Sequence, residues 1–177
     1  MKKLCIILPL ALILCFMVGC QDKEAMAELE AMKVQAEIEE QNKEIVRRYF
    51  ELMADRNPAY MELSSEDYLV HFPGGFDVKG IENLKKVQDP YFDAFPDHTY
   101  YFSDFLAEGD KVAIRYGSTG THQGVFDGIP PTGKEIRRTA IGFVRLKDGK
   151  LVESWIESDS LGFMQKLGME LKPKEKE

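Results

Sequence analysis

Apolar residues are unevenly placed along this chain. An apolar stretch from Leu4 to Val18 follows Lys2 and Lys3 and stops at Gly19-Cys20, before the polar run Gln21-Asp22-Lys23-Glu24. A charged start, a short apolar middle and a small residue at the junction are the layout of a secretion signal. A permanent membrane span needs roughly 20 apolar residues, and this stretch supplies 15, Pro9 among them. Residues 24–41 then lack Gly and Pro and are mainly Glu, Ala, Met, Lys and Gln, which predicts a helical tether. Its best apolar positions, Met26, Leu29, Met32 and Ile38, sustain no heptad.

From Asn42 the spacing sharpens. Ile45, Val46, Tyr49, Phe50 and Met53 recur at three- and four-residue intervals and predict an amphipathic helix. Asn57-Pro58 interrupts it, and Ala59 to Leu63 predicts a second, short helical segment. A strand over residues 66–72, centred on Tyr68-Leu69-Val70, should end at Pro73-Gly74-Gly75. Gly80 opens a third helix burying Ile81, Leu84, Val87, Tyr91 and Phe92, with Pro90 expected to tighten or break its middle. Strands follow over Thr99–Ala107, Val112–Thr121, Ile136–Leu146 and Leu151–Asp159, with hairpin turns at Glu108-Gly109-Asp110 and Lys147–Lys150. Gly124 to Gly133 reads as a long connection with another short strand, and Leu161–Leu167 as a terminal helix. Early helices and late strands predict an α+β domain, its helices covering one side of a curved sheet.

Charge and cysteine usage narrow the function. The 177 residues carry a net charge of -7. Loss of the first 19 residues leaves 158, with 21 basic against 30 acidic side chains, or -9. That is one domain with an acid excess, which argues against a nucleic-acid partner. Arg137-Arg138 is a local basic pair, either an anion contact or part of a charged strand surface. Cys5 and Cys15 leave with the signal, so Cys20 remains without a disulfide partner. His71, His98 and His122 lack metal-ligand spacing, and no cofactor motif is present, so neither metal nor cofactor is expected.

Trp155, Glu157 and Asp159 share strand parity and so should point to one face. If that face is a pocket, Trp155 forms an apolar wall that raises the proton affinity of the acids, and Asp159 serves as general acid or base. The alternative for Asp159 is a cap on the terminal helix. His122 is either a catalytic pocket partner or a tie within its own turn, and His71 is a pocket-mouth or a structural residue. Phe72, Phe76, Tyr101, Phe105, Tyr116, Phe126, Phe163 and Met164 supply apolar surface for a cavity. Arg115 has opposite parity from Tyr116, which leaves it between an oxyanion contact and an outer salt bridge.

Several ordered motifs carry a family resemblance from about Asn42 to Gly168. They include Val46-Arg47-Arg48-Tyr49-Phe50, Tyr68-Leu69-Val70-His71, Phe95-Pro96-Asp97, Gly120-Thr121-His122-Gln123-Gly124, Phe126...Gly128-Ile129-Pro130-Pro131-Thr132-Gly133-Lys134 and Trp155...Asp159. The sequence resembles the SnoaL-like polyketide cyclases, also called ester cyclases, of the NTF2-like superfamily. That resemblance implies an NTF2-like α+β cone, a strongly curved, mixed or mainly antiparallel sheet packed against N-terminal helices around a pocket, and pairing of two copies as a homodimer. It implies Asp159 as the proton-transfer residue; His122 would then stabilise the changing oxygen, and His71, Trp155, Glu157, Tyr116, Phe126 and Phe105 are the candidates to surround the ligand. The substrate would be a small hydrophobic carbonyl compound that undergoes proton abstraction and ring closure, or a related isomerisation. A non-catalytic ligand-binding lipoprotein and an envelope interaction module are the alternatives. Ser154 departs from the His often found before the family's tryptophan.

Met17-Val18-Gly19-Cys20 resembles a bacterial lipobox, in which the cysteine becomes a lipidated N-terminus. The resulting expectation is a signal over 1–19, a lipidated tether over 20–41, a domain over 42–168 and a polar tail over 169–177. Such a chain would be exported and anchored to the envelope through Cys20, facing the periplasm from the outer membrane.

Overall fold

The computed structural model describes residues 4–170 and 172, with side chains from Lys23 onward. The expected lipidation point, the Cys20 side chain, lies outside the described residues, as do residues 173–177 of the tail. Helix α1 spans Leu4–Ala54. Two units divide the chain, Met1–Ile38 and Glu39–Glu177, the second beginning three residues before the expected Asn42. In the first unit Met26, Leu29, Met32 and Ile38 are all exposed. Among the described residues no helix is long and apolar enough to cross a membrane.

The second unit opens with the end of α1. Val46, Tyr49, Phe50 and Met53 form a buried stripe there, at the three- and four-residue spacing that a helix buries on one side. Asn42 Nδ2 donates to the Gly109 carbonyl at 3.2 Å, and Glu39 accepts from the Gly109 amide at 2.9 Å, which ties the helix to a strand turn. Asn57 then caps a 3-10 turn, Pro58–Leu63, its side chain accepting from the Ala59 amide at 3.0 Å.

Six strands form one open sheet: β1 (Ser64–Phe72), β2 (Phe76–Lys79), β3 (Thr99–Glu108), β4 (Lys111–Thr121), β5 (Glu135–Lys147) and β6 (Lys150–Ser158). Their order is β2-β1-β6-β5-β4-β3, with β1 parallel to β6 and the other pairs antiparallel. Helices α2 (Ile81–Ala94) and α3 (Ser160–Leu167) complete the unit. This is the curved α+β architecture expected from the pattern, with three local differences. Strand β2 was not anticipated, because only four residues follow the Gly74-Gly75 reversal, where φ is 83° and 77°. Pro90 sits inside α2 without ending it. The connection after Gly124 holds only an isolated bridge between Phe126 and Ile129 rather than a strand.

Strand parity determines what the sheet shows to the helices. On β4, Val112, Ile114, Tyr116 and Ser118 are buried on the helix side while Arg115 is exposed. On β3 a bulge between Phe102 and Asp104 shifts the register, so Tyr100 and Phe102 before it and Phe105 after it all reach the same side. Opposite that side, Tyr101 lies across Gly117. A Cβ at Gly117 would stand 2.2 Å from the Tyr101 hydroxyl and 2.5 Å from the Arg138 carbonyl. Gly117→Ala is therefore expected to cost about 1–3 kcal/mol by overpacking, read as a lower urea midpoint. An unchanged midpoint would show that Tyr101 does not need that space.

Candidate functional site

A cavity of about 240 Å³ opens between α2, the end of α1 and the inner face of β3–β6. That is smaller than most ligand sites, which commonly run roughly 300–1,000 Å³. Phe50 and Met53 from α1, Phe72 at the end of β1 with Pro73 after it, and Val87, Tyr91 and Phe92 from α2 form its apolar side. Tyr100, Tyr116, Phe126 and Ile156 add further apolar wall. Its polar residues are Gln88, His98, Ser118, Arg138, Thr139 and Ser158, and no Asp or Glu lines it.

His98 is held by the turn before β3. Asp97 accepts from both the Thr121 amide and the Thr121 hydroxyl, each at 2.7 Å, and the His98 amide donates to the Phe95 carbonyl at 3.1 Å. Those bonds fix the backbone on either side of the imidazole. The ring is packed edge-on against Tyr100 at 4.4 Å, Tyr91 at 5.2 Å and Phe92 at 5.3 Å. His98 is 7% exposed, and neither ring nitrogen has a hydrogen-bond partner in the protein. Desolvation, with a smaller contribution from the Arg138 charge, pushes its pKa down to about 4 against the opposing pull of Asp97. The ring is thus neutral near pH 7.

Arg138 projects inward from β5, whereas its neighbour Arg137 lies on the outer face over the Tyr101 ring. Nη2 of Arg138 donates to the Ser158 hydroxyl at 2.8 Å, the guanidinium carbon stands 5.0 Å from the Phe163 ring centre, and Nε is buried without an acceptor. The Gln88 Oε1 is likewise buried without a donor. Tyr91 meets the Ser118 hydroxyl at 3.4 Å. Burial raises the pKa of both Tyr91 and Tyr116, the latter to about 12, so both phenols keep their protons.

Of the residues the sequence put forward for a pocket, Phe72, Tyr116 and Phe126 line this cavity, whereas Asp159, His122, His71, Trp155, Glu157, Phe105, Phe76, Tyr101, Phe163 and Met164 do not. Trp155 and Glu157 do share one face, but it is the outer one, because the inward positions of β6 are Ser154, Ile156 and Ser158. Trp155 is 37% exposed and stacks on His71 at 5.4 Å. His71 in turn bridges Asp77 at 2.9 Å and Glu153 at 3.1 Å on the outer face. The Glu153 contact is the main cause of its raised pKa. Asp159 is exposed and caps α3, accepting from the Gly162 amide at 2.8 Å. With Glu157 and Arg115 it borders a shallow outer depression. His122 is fully buried outside the cavity lining. It stacks on Phe95 at 5.1 Å, and its Nδ1 accepts from the Thr132 amide at 3.3 Å, which ties together the two ends of the long connection. Phe105 packs under Arg47, whose guanidinium carbon lies 4.4 Å from the ring centre. Arg115 sits outside, 3.9 Å from Asp104.

Sequence reasoning passed over His98, Gln88 and the inward direction of Arg138. The signal for Arg138 was its even spacing with Ile136 and Ala140, both buried. Among the described residues no cluster suited to a metal ion occurs.

Because the pKa of folded His98 lies below the ordinary 6.5, the unfolded chain binds a proton that the folded chain refuses between about pH 6.5 and 4. The associated stability is complete above that window and is lost as pH falls through it, by about 3 kcal/mol. Urea unfolding across this range should therefore show a steeper acid loss for the wild type than for His98→Phe. Parallel curves would show that His98 is not held neutral.

The chain is 27% identical to a candidate SnoaL-like polyketide cyclase from Jannaschia sp. CCS1, with a TM-score of 0.70 over 76% of this chain and 96% of the other. It is 29% identical to IdmH, a candidate polyketide cyclase from Streptomyces antibioticus, with a TM-score of 0.66 over 73% and 99% of the two chains. AclR from Streptomyces galilaeus, a candidate hydroxylase, matches at 26% identity and a TM-score of 0.67 over 73% and 97%. Among curated proteins none matches the chain. Residues 43–167 match the family model for SnoaL-like polyketide cyclases, and with the open six-stranded sheet packed on helices this shows that the chain belongs to that family and has its NTF2-like fold.

Proposed function

We propose that this protein catalyses a cyclase- or isomerase-type proton transfer on a small, hydrophobic carbonyl compound held in the cavity, with His98 as the proton acceptor. The observation that carries the proposal is the neutral imidazole in the cavity wall, with both nitrogens lacking a protein partner. Family membership supports the reaction class. The surrounding aromatic rings exclude water and favour a flat or apolar ligand body.

In the proposed step a carbon adjacent to a carbonyl gives its proton to an imidazole nitrogen. Negative charge collects on the carbonyl oxygen, where the protonated Tyr91 and Tyr116 and the Ser118 hydroxyl are the available donors. The enolate carbon then attacks a second carbonyl of the same molecule and closes a ring, and the imidazolium returns its proton to the new alkoxide. For isomerisation the proton returns to a different carbon. A base with a pKa of about 4 in the empty cavity becomes stronger as the enolate forms, because the opposite charge favours the imidazolium.

Hydrogen–deuterium exchange on 1,3-dicarbonyl probes, followed by NMR, tests this assignment. General-base catalysis contributes roughly 100- to 10,000-fold, so His98→Gln should lower enzyme-dependent exchange by at least about 100-fold. Asp159→Asn should stay within about twofold, since asparagine also caps a helix. Retained exchange in His98→Gln with loss in Asp159→Asn would move the chemistry to the outer acid.

We also propose that the N-terminal signal delivers the chain to the envelope and that Cys20 carries the lipid. Support comes from the sequence Met17-Val18-Gly19-Cys20 ahead of a polar segment. Cys20→Ala should shift the protein from the membrane to the soluble fraction of the producing cell. Continued membrane partition with normal signal cleavage would overturn the lipid assignment.

A further inference from the structure

Arg138 is a cation inside a chamber that has no acid to pair with it. Of the outer-face arginines of the same sheet, Arg115 is matched by Asp104 at 3.9 Å and Arg145 by Glu153 at 2.6 Å, while Arg137 donates to the Tyr101 hydroxyl at 2.8 Å. Among the described residues Arg138 forms no ion pair; its side chain donates to the Ser158 hydroxyl at 2.8 Å, meets the Tyr91 phenol and lies 5.0 Å from the Phe163 ring centre. Its Nε points to no acceptor although it is buried. A charge withdrawn from water without a counter-charge is unfavourable, and a folded protein keeps one where something else supplies the compensation.

Resting on the cavity reading above, we infer that the ligand enters as an anion, a carboxylate-bearing carbonyl compound whose acidic group sits against Arg138. The planar guanidinium fork matches a carboxylate through paired N–H donors, and the free Nε is one of those donors. The chamber's small volume fits a compact carboxylate. The other groups facing His98 are Asp97 beside it and the phenols of Tyr91 and Tyr100, so Arg138 is the positive charge that opposes protonation of the imidazole. An anion on Arg138 offsets that opposition, and the same contact that holds the substrate then readies the base.

Benzoate and 4-methylbenzoate, each compared with its neutral amide, test the inference by calorimetry. These probes have no acidic carbon beside a ketone, so their binding does not depend on whether His98 moves a proton. The acids should bind the wild type at least about tenfold more tightly than the amides. Arg138→Gln should bring the ratio within about twofold while leaving amide binding in place. Should that variant not fold, the Arg138 Nε–H resonance of the wild-type protein decides, shifting with benzoate and not with benzamide. Equal binding of acids and amides, an acid preference that survives in Arg138→Gln, or an Nε–H resonance indifferent to benzoate would each overturn the inference. Loss of carbon-acid exchange in His98→Gln with no acid preference would leave the proton-transfer reading standing and remove only the anion.

Discussion

The pleat of the sheet is the constraint on which the site depends. Successive side chains of a strand go to opposite faces, and only one face of this sheet is covered by helices. Tyr116 and Ser118 of β4, Arg138 and Ala140 of β5, and Ile156 and Ser158 of β6 therefore meet in one chamber. Their neighbours Arg115, Arg137, Ile141, Trp155 and Glu157 are exposed outside. The inward polar side chains Ser118, Arg138 and Ser158 follow from that alternation.

The chamber stays open because large and small residues are distributed unequally around it. Aromatic side chains from α1, α2 and β3 build the far wall, while the inner face of β6 has serines at 154 and 158. Ser154 is itself filled in, its hydroxyl accepting from Tyr68 at 3.0 Å in the core. Further along the strand Ser158 is free to meet Arg138. A tryptophan pointing inward from β6 would occupy the volume that a ligand needs. On the outside Trp155 instead covers the His71 ring and joins Phe143 and Ile141 as exposed apolar surface.

Much of the fold was legible because its elements announce themselves locally. The stripe Val46, Tyr49, Phe50 and Met53, the glycine turns at Gly109 and Gly149, and the alternation on β4 and β5 each follow from spacing alone. For the site the sequence yields parity but not direction. The two-residue spacing of Trp155, Glu157 and Asp159 gives a common face, and the family resemblance points that face at the pocket. The pleat turns Ser154, Ile156 and Ser158 inward instead and leaves Trp155 and Glu157 outside. His122 misled for a related reason. Its glycine-rich surroundings mark a turn, and the imidazole Nδ1 is engaged in closing it. The position of His98 depends on Asp97 reaching Thr121, a contact between residues 24 apart that no periodicity reveals.

Placing a cation and a neutral imidazole together without an acid gives the chamber a definite electrostatic character. In an apolar site the field of Arg138 is weakly screened, so it acts on His98 and on the phenols at once. The field that adds to desolvation in keeping the imidazole unprotonated also lowers the energy of negative charge formed nearby. The proposed proton transfer from carbon to His98 would create one charge that Arg138 opposes and one that it favours. The balance between them depends on where the ligand sets its oxygens, and the buried, acceptorless Nε marks the position from which that balance can be tipped.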